Sequence, residues 1–270
     1  MTDLLISSRA HRTFNLRGPY WVSARTNRFT LWTMCVLAAG MAAVTVLRRL
    51  MAASAAGAFA ATDCSVTYVT RGCGGRVGGF LDSELALEHQ LAYAGLGLIL
   101  LASAAAAFAA GPLTGRELES GTYKVMWTQS VTPAHWLKAQ LVPPAVLVLA
   151  ASSAVSGIGA WAGHTGPHGN YPVRWLEATT FYATGTLPVA CSLLGLAVGA
   201  LSGLWLGRAL PAVVLAALAV PGFCLTISNV DGVLPRDFWI RQLAETGIAL
   251  AAAALVMAIA FRILKRRAAA

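Results

Sequence analysis

Low charge, six long apolar segments and a one-sided distribution of arginine and lysine predict an all-α polytopic membrane protein of six transmembrane helices. Of 270 residues, 57% are hydrophobic and only 11% charged, where a soluble domain carries about a quarter charged residues. The apolar segments run over about 29–47, 91–111, 142–163, 179–206, 211–228 and 245–262. Each approaches the ~20 residues that cross a bilayer, and none has an Asp, Glu, Lys or Arg between its end residues. With the N-terminus inside, 13 of the 20 Lys and Arg fall in cytoplasmic segments. Both termini are therefore expected to be cytoplasmic. On this reading the pI near 9.8 reflects topology and not a nucleic-acid partner.

Residues 1–28 carry Arg9, Arg12, Arg17, Arg25 and Arg28 with no apolar core between them, so they read as a cytoplasmic leader and not as a signal peptide. After the first span, 48–90 is expected to form the longest outer loop. Its Cys64 and Cys73 would face an oxidising side, and two readings stay open: a disulfide, or two free thiols. Cys35, Cys191 and Cys224 fall within spans as packing residues.

The second span leads into a cytoplasmic region, 112–141. Thr114 and Glu117 have capping-box spacing, and Leu118, Thr122, Val125 and Met126 share one helical face away from Arg116, Glu119 and Lys124. This predicts a short amphipathic interfacial helix, with Trp127 and Trp136 as anchors. The pattern alone fits a solvated loop helix as well as a docking element. Thr132-Pro133 predicts the start of the next helix, which Pro143-Pro144 is expected to interrupt.

The fourth span repeats glycine every fourth residue, at Gly195, Gly199, Gly203 and Gly207. Such a groove lets another backbone approach closely, within the subunit on the simpler reading or across a subunit interface. Pro188 and Pro221-Gly222 are expected to kink the fourth and fifth spans.

The chemistry is constrained mostly by what is missing. A proton-coupled carrier needs ionisable groups at membrane depth, and none is expected well inside a span. A phosphate-binding loop needs lysine after glycine, yet none of Lys124, Lys138 or Lys265 follows one. Uphill transport would then require a nucleotide-hydrolysing partner. His164 and His168 have metal spacing for a helix, but Gly166-Pro167 lies between them, so no metal site is assigned. No catalytic residues are assigned either.

A resemblance supplies the partner. Arg116-Glu117-Leu118-Glu119-Ser120-Gly121-Thr122, then Trp127-Thr128-Gln129-Ser130-Val131 and Trp136-Leu137, resemble the signature of ABC-2 permeases, most of all the short actinobacterial members. Trp21-Val-Ser-Ala-Arg25 with Arg28 is similar to that family's amphipathic elbow. The glycine ladder followed by Arg208-Ala-Leu-Pro211-Ala212 is similar to its fourth span and exit. The chain departs from the pattern at Gln140, where the family usually has lysine, and at Pro143-Pro144.

The resemblance implies a type V exporter-like fold in a bacterial plasma membrane. It implies two permease copies, taken as identical, with two ABC ATPase subunits that hold the ATP and Mg, so no cofactor is expected in this chain. Arg116, Glu117, Glu119, Gly121, Thr122, Trp127 and Gln129 would couple to the ATPase. Cargo would pass between the second and fifth spans, by Phe108, Leu218, Phe223 and Thr226. Such apolar faces suit a hydrophobic or amphiphilic compound: a drug, antibiotic, modified peptide or lipid. The main rival is a non-transporting immunity or sensor protein on the same scaffold. A membrane enzyme ranks lower, because no polar cluster is expected at either membrane face.

Overall fold

The computed structural model describes residues 19–121, 132–164, 178–228 and 237–269, and every regular element among them is helical. The elements are α1 (Pro19–Thr26), α2 (Arg28–Ala60), α3 (Gly74–Ala104), a π-helical turn (Ala105–Ala110), α4 (Gly111–Ser120), α5 (Pro133–His164), α6 (Ala178–Phe181), α7 (Leu187–Leu206), α8 (Ala209–Ser228) and α9 (Phe238–Ala269). Six helices among the described residues are long and apolar enough to cross a membrane, and they alternate in direction. The end holding α1 and the last turns of α9 is called proximal here, and the opposite end distal.

Several helices overrun the expected spans. α2 continues past Arg48 and Arg49 to Ala60, because the alanine-rich run Ala52–Ala60 favours helix and the arginines need not end it. Arg49 is buried on the inner side of the helix. The connection expected to lie outside is therefore 61–73 and not 48–90. It is closed by a Cys64–Cys73 disulfide with Cα atoms 5.6 Å apart, and below it Phe59 stacks on Phe80 at 4.7 Å.

The second span and the region after it form one rod. α3, the π turn and α4 run without a break over Gly74–Ser120, 47 residues, or about 70 Å at helical rise. A hydrocarbon core is only ~30 Å thick, so this rod projects from it. The capping box is absent. Thr114 lies inside the helix, its hydroxyl donating to the Ala110 and Gly111 carbonyls at 3.1 and 3.2 Å.

α5 starts where expected, with the Thr132 hydroxyl accepting from the His135 amide at 3.3 Å. It then runs through Pro143 and Pro144 instead of stopping. Pro188 sits in the first turn of α7, where proline costs nothing, so it does not kink that span. The interruption lies earlier, at 182–186, between α6 and α7. Pro221 does lie inside α8.

α7 is the hub, packing against α3, the π turn, α4, α5, α8 and α9. Its glycine ladder faces the long rod within the same chain. A Cβ at Gly195 would stand 2.6 Å from the Ala102 carbonyl oxygen, and one at Gly199 would overlap the Ala106 oxygen. One at Gly203 would overlap the Thr114 hydroxyl and stand 2.5 Å from the Gly111 oxygen. The two helices thus touch backbone to backbone, turn by turn. Gly207 leaves the ladder: at φ 61 it ends α7, a conformation glycine adopts without penalty.

Candidate functional site

The proximal face gathers α1, α4, the start of α5 and the α7–α8 turn. α4 reaches it because Gly115 lets the rod cross that turn, where a Cβ would meet Ala209 Cα at 3.1 Å and the Arg208 carbonyl carbon at 3.2 Å. Glu119 then accepts from the Ala209 backbone amide at 3.3 Å, satisfying an orphan donor at the start of α8. Gly121 closes α4 at φ 72.

Glu117 turns inward. Its carboxylate accepts from Trp136 Nε1 at 2.5 Å and from Gln140 Nε2 at 2.6 Å. Gln140 Oε1 in turn accepts from the Ser23 hydroxyl of α1 at 3.0 Å. Pro144 explains the position of Ser23: lacking an N–H, it leaves the Gln140 carbonyl without its helical donor, and the Ser23 hydroxyl lies 3.5 Å from that oxygen. Tyr20 of α1 adds an edge-to-face contact with His135, centroids 5.8 Å apart. One half-buried carboxylate thereby ties three helices together through neutral donors.

The expected coupling residues separate into three groups. Arg116 and Glu119 are exposed at the proximal face, and Gly121 ends the helix beside them. Glu117 is an internal tie. Thr122, Trp127 and Gln129 lie outside the described residues. Trp136 is no interfacial anchor, because it is buried in the core and spends its indole N–H on Glu117. The contact between Ser23 and Gln140 escaped the sequence reading, which noted Gln140 only as a departure from the family pattern. The available signal was a lone glutamine in an apolar run, four residues before a proline.

The expected cargo-path residues do not share a wall. Phe108 projects from the π turn into a groove of about 450 Å³, with Leu37, Met41, Leu100, Ala217 and Pro221. Leu218 lies on the bare outer face of α8, 68% exposed. Phe223 instead packs inward against Leu194, Ala197 and Ala253. The Thr226 hydroxyl returns to the Gly222 carbonyl at 2.7 Å.

The chain belongs to the ABC-2 membrane transporter related family. That family's model matches residues 32–230, most of the chain, from α2 to just beyond α8. No curated protein and no solved structure matches the chain significantly. Membership makes it a multi-pass transporter permease, and ABC-2 permeases in general work with an ABC ATPase.

The permease also holds a polar cluster that its sequence hid. α9 begins at Phe238, so Glu245 is two turns inside an apolar helix and not at its edge. Arg241 Nε donates to Glu245 Oε1 at 2.7 Å, and Glu245 is fully buried. The Arg241 guanidinium also lies over the Phe181 ring at 5.1 Å. Nearby, Gln242 Nε2 donates to the Thr184 carbonyl at 2.8 Å, and Tyr182 donates to the Cys224 carbonyl at 2.9 Å. The expectation of no polar cluster at one end is overturned, while Arg241 and Glu245 lie in the first two turns of the 32-residue α9 and not near its middle. The free thiols of Cys191 and Cys224 sit 3.7 Å apart beside this cluster.

Proposed function

We propose that this permease is the membrane half of an ATP-driven exporter in a bacterial plasma membrane. Two copies of it would work with two separate ABC ATPase subunits and move a hydrophobic or amphiphilic compound outward. The observation that carries this reading is the unbroken rod Gly74–Ser120. Its proximal tip presents Arg116 and Glu119 to solvent while its body lies against α7 along the glycine ladder. Closure of an ATPase against that tip would move the proximal part of the rod, α4, toward or away from α7. Glu117 would pass the displacement to α5 and α1 through Trp136, Gln140 and Ser23. The π turn, a wider and weaker helical geometry, sits where the rod would flex, and there Phe108 meets the apolar groove.

In this reading the proximal face is cytoplasmic. The basic last turns of α9, Arg262 to Arg267, support that side, and the Cys64–Cys73 disulfide supports an oxidising distal side. Impermeant thiol labelling of single cysteines introduced at positions 74 and 268 checks the orientation. Position 74 should react in intact cells, and reaction at 268 would refute the topology.

The decisive experiment reverses the charge of Arg116, which is exposed at the tip. ATPase pull-down and ATP turnover in the purified complex are compared between wild type and Arg116→Glu at equal folded yield. Loss of both supports docking at this tip, whereas unchanged binding and turnover would place the ATPase elsewhere or remove it from the account.

A further inference from the structure

The break between α6 and α7 needs a physical reason. Residues Tyr182–Thr186 cross the distal part of the bundle outside any helix, where every freed backbone group must find a partner in the protein or line a cavity. Two carbonyls are met by side chains: Thr184 by Gln242, and Gly185 by the Ser156 hydroxyl at 2.7 Å. Gly185 stands at φ 80, and a Cβ there would overlap the Gln242 amide. Gln242 is fully buried, and its Oε1 has no hydrogen-bond partner among the described residues.

This turn closes one end of a groove of about 510 Å³ between α5, α7 and α9. The volume falls in the range of small-molecule sites. Along its length it is apolar, with Val189, Leu193 and Leu250. At its closed end Thr186 and Thr246 join hydroxyl to hydroxyl at 2.8 Å, and both line the groove. Among the described residues, no charged side chain lines it. Its side is open: Ser153 and Gly157 are exposed, and a Cβ at Gly157 would meet nothing within 4 Å. The Phe108 groove shares no helix with it, and its one hydroxyl residue, Ser103, is buried.

We propose that the α5–α7–α9 groove binds a neutral amphiphile that enters sideways from the lipid. Its hydroxyl- or amide-bearing head sits against Thr186 and Thr246, and its chain lies along Val189, Leu193 and Leu250. Neutrality follows from the lining: an ionised head would be desolvated with no opposite charge to meet it. Hydroxyls at one end only orient the molecule. The inference stands whether or not the chain exports anything.

The test uses the full chain in phosphatidylcholine nanodiscs and a monoacylglycerol carrying a photoactivatable group in its chain. The expected result is cross-linking concentrated on α5, α7 and α9 around the groove, competed by unlabelled monoacylglycerol. A fatty-acid probe of equal chain length should label those positions several-fold less. Gly157→Phe starts from a Cβ position with open space around it, should fill the open side, and should lower labelling several-fold. Thr246→Val keeps the shape, and loss of one hydrogen bond should weaken competition by about fivefold. Labelling spread evenly over the bare faces of α2, α3 and α8, or unchanged by Gly157→Phe, would overturn the proposal. Equal labelling by the fatty acid would overturn the neutral-head assignment. If Gly157→Phe instead lowers the oligomeric mass seen by light scattering, the groove is an interface between copies, and the proposal falls.

Discussion

At the proximal end Glu117 is half-buried and bound by neutral donors from another helix. At the distal end Glu245 is fully buried and paired with Arg241 one turn earlier on its own helix. The first carboxylate connects α4 to α5 and, through Gln140, to α1; the second is neutralised locally before anything else is connected. The difference follows from burial. A half-buried carboxylate can be met by N–H donors and solvent, but a fully buried one that is ionised needs a counter-charge, since desolvating it alone costs several kcal/mol. A tie made by neutral donors across helices can carry motion between them, whereas a pair within one helix anchors a surface for others to pack on. The broken segment 182–186 packs on that surface, through Gln242 and Phe181.

Removing one member of the distal pair should have the largest effect. Glu245→Ala leaves the Arg241 charge without its carboxylate and should cost about 3–5 kcal/mol, read as lost thermal stability of the purified protein. The double variant Arg241→Leu with Glu245→Leu should recover most of that. Were Glu245→Ala milder than Glu117→Ala, the two ends would not differ as described.

The ladder that joins the ends comes next. Gly199→Leu drives a side chain into the Ala106 carbonyl and the Ala110 Cβ, the latter only 2.8 Å from a Cβ at that site. Overpacking of this kind costs about 1–3 kcal/mol and sometimes more, so the yield of monodisperse protein should fall sharply. Gly222→Leu is the control, because it faces open space on α8 and should elute like wild type. Normal yield from both would mean that α7 and the rod are not in close contact.

Glu117→Ala strips the acceptor from Trp136 Nε1 and Gln140 Nε2, and a buried donor left unmet costs about 1–3 kcal/mol. A partial loss of stability is expected, larger than a cap at an exposed helix start would explain. Glu117→Gln keeps one acceptor oxygen and should fall between the two. Equal stability of wild type and Glu117→Ala would dissolve the proximal network. The smallest stability change belongs to Arg116→Glu, within about 0.5 kcal/mol for an exposed side chain. It therefore separates docking from folding.

What the sequence by itself determined is set by local physics. Transfer of apolar side chains into lipid sets the number of spans, and the four-residue glycine repeat sets a helix face of close approach. Thr132-Pro133 marks a helix start through the same short-range chemistry. The ladder's partner was not legible, since periodicity names a face and not what lies against it. The helices run past the expected ends at Arg48 and Glu245 for a related reason. A charged residue reads as a boundary until the fold supplies burial and a partner, as it does for Glu245.

Only the tertiary structure decided the two polar clusters and the disulfide between Cys64 and Cys73. Ser23 meets Gln140 across 117 residues, Gln242 meets Thr184 across 58, and Tyr182 meets Cys224 across 42. No local pattern encodes such pairs. The first two meet a backbone carbonyl freed by Pro144 or by the break at 182–186, which must be satisfied by whichever polar side chain the packing of helices brings within reach.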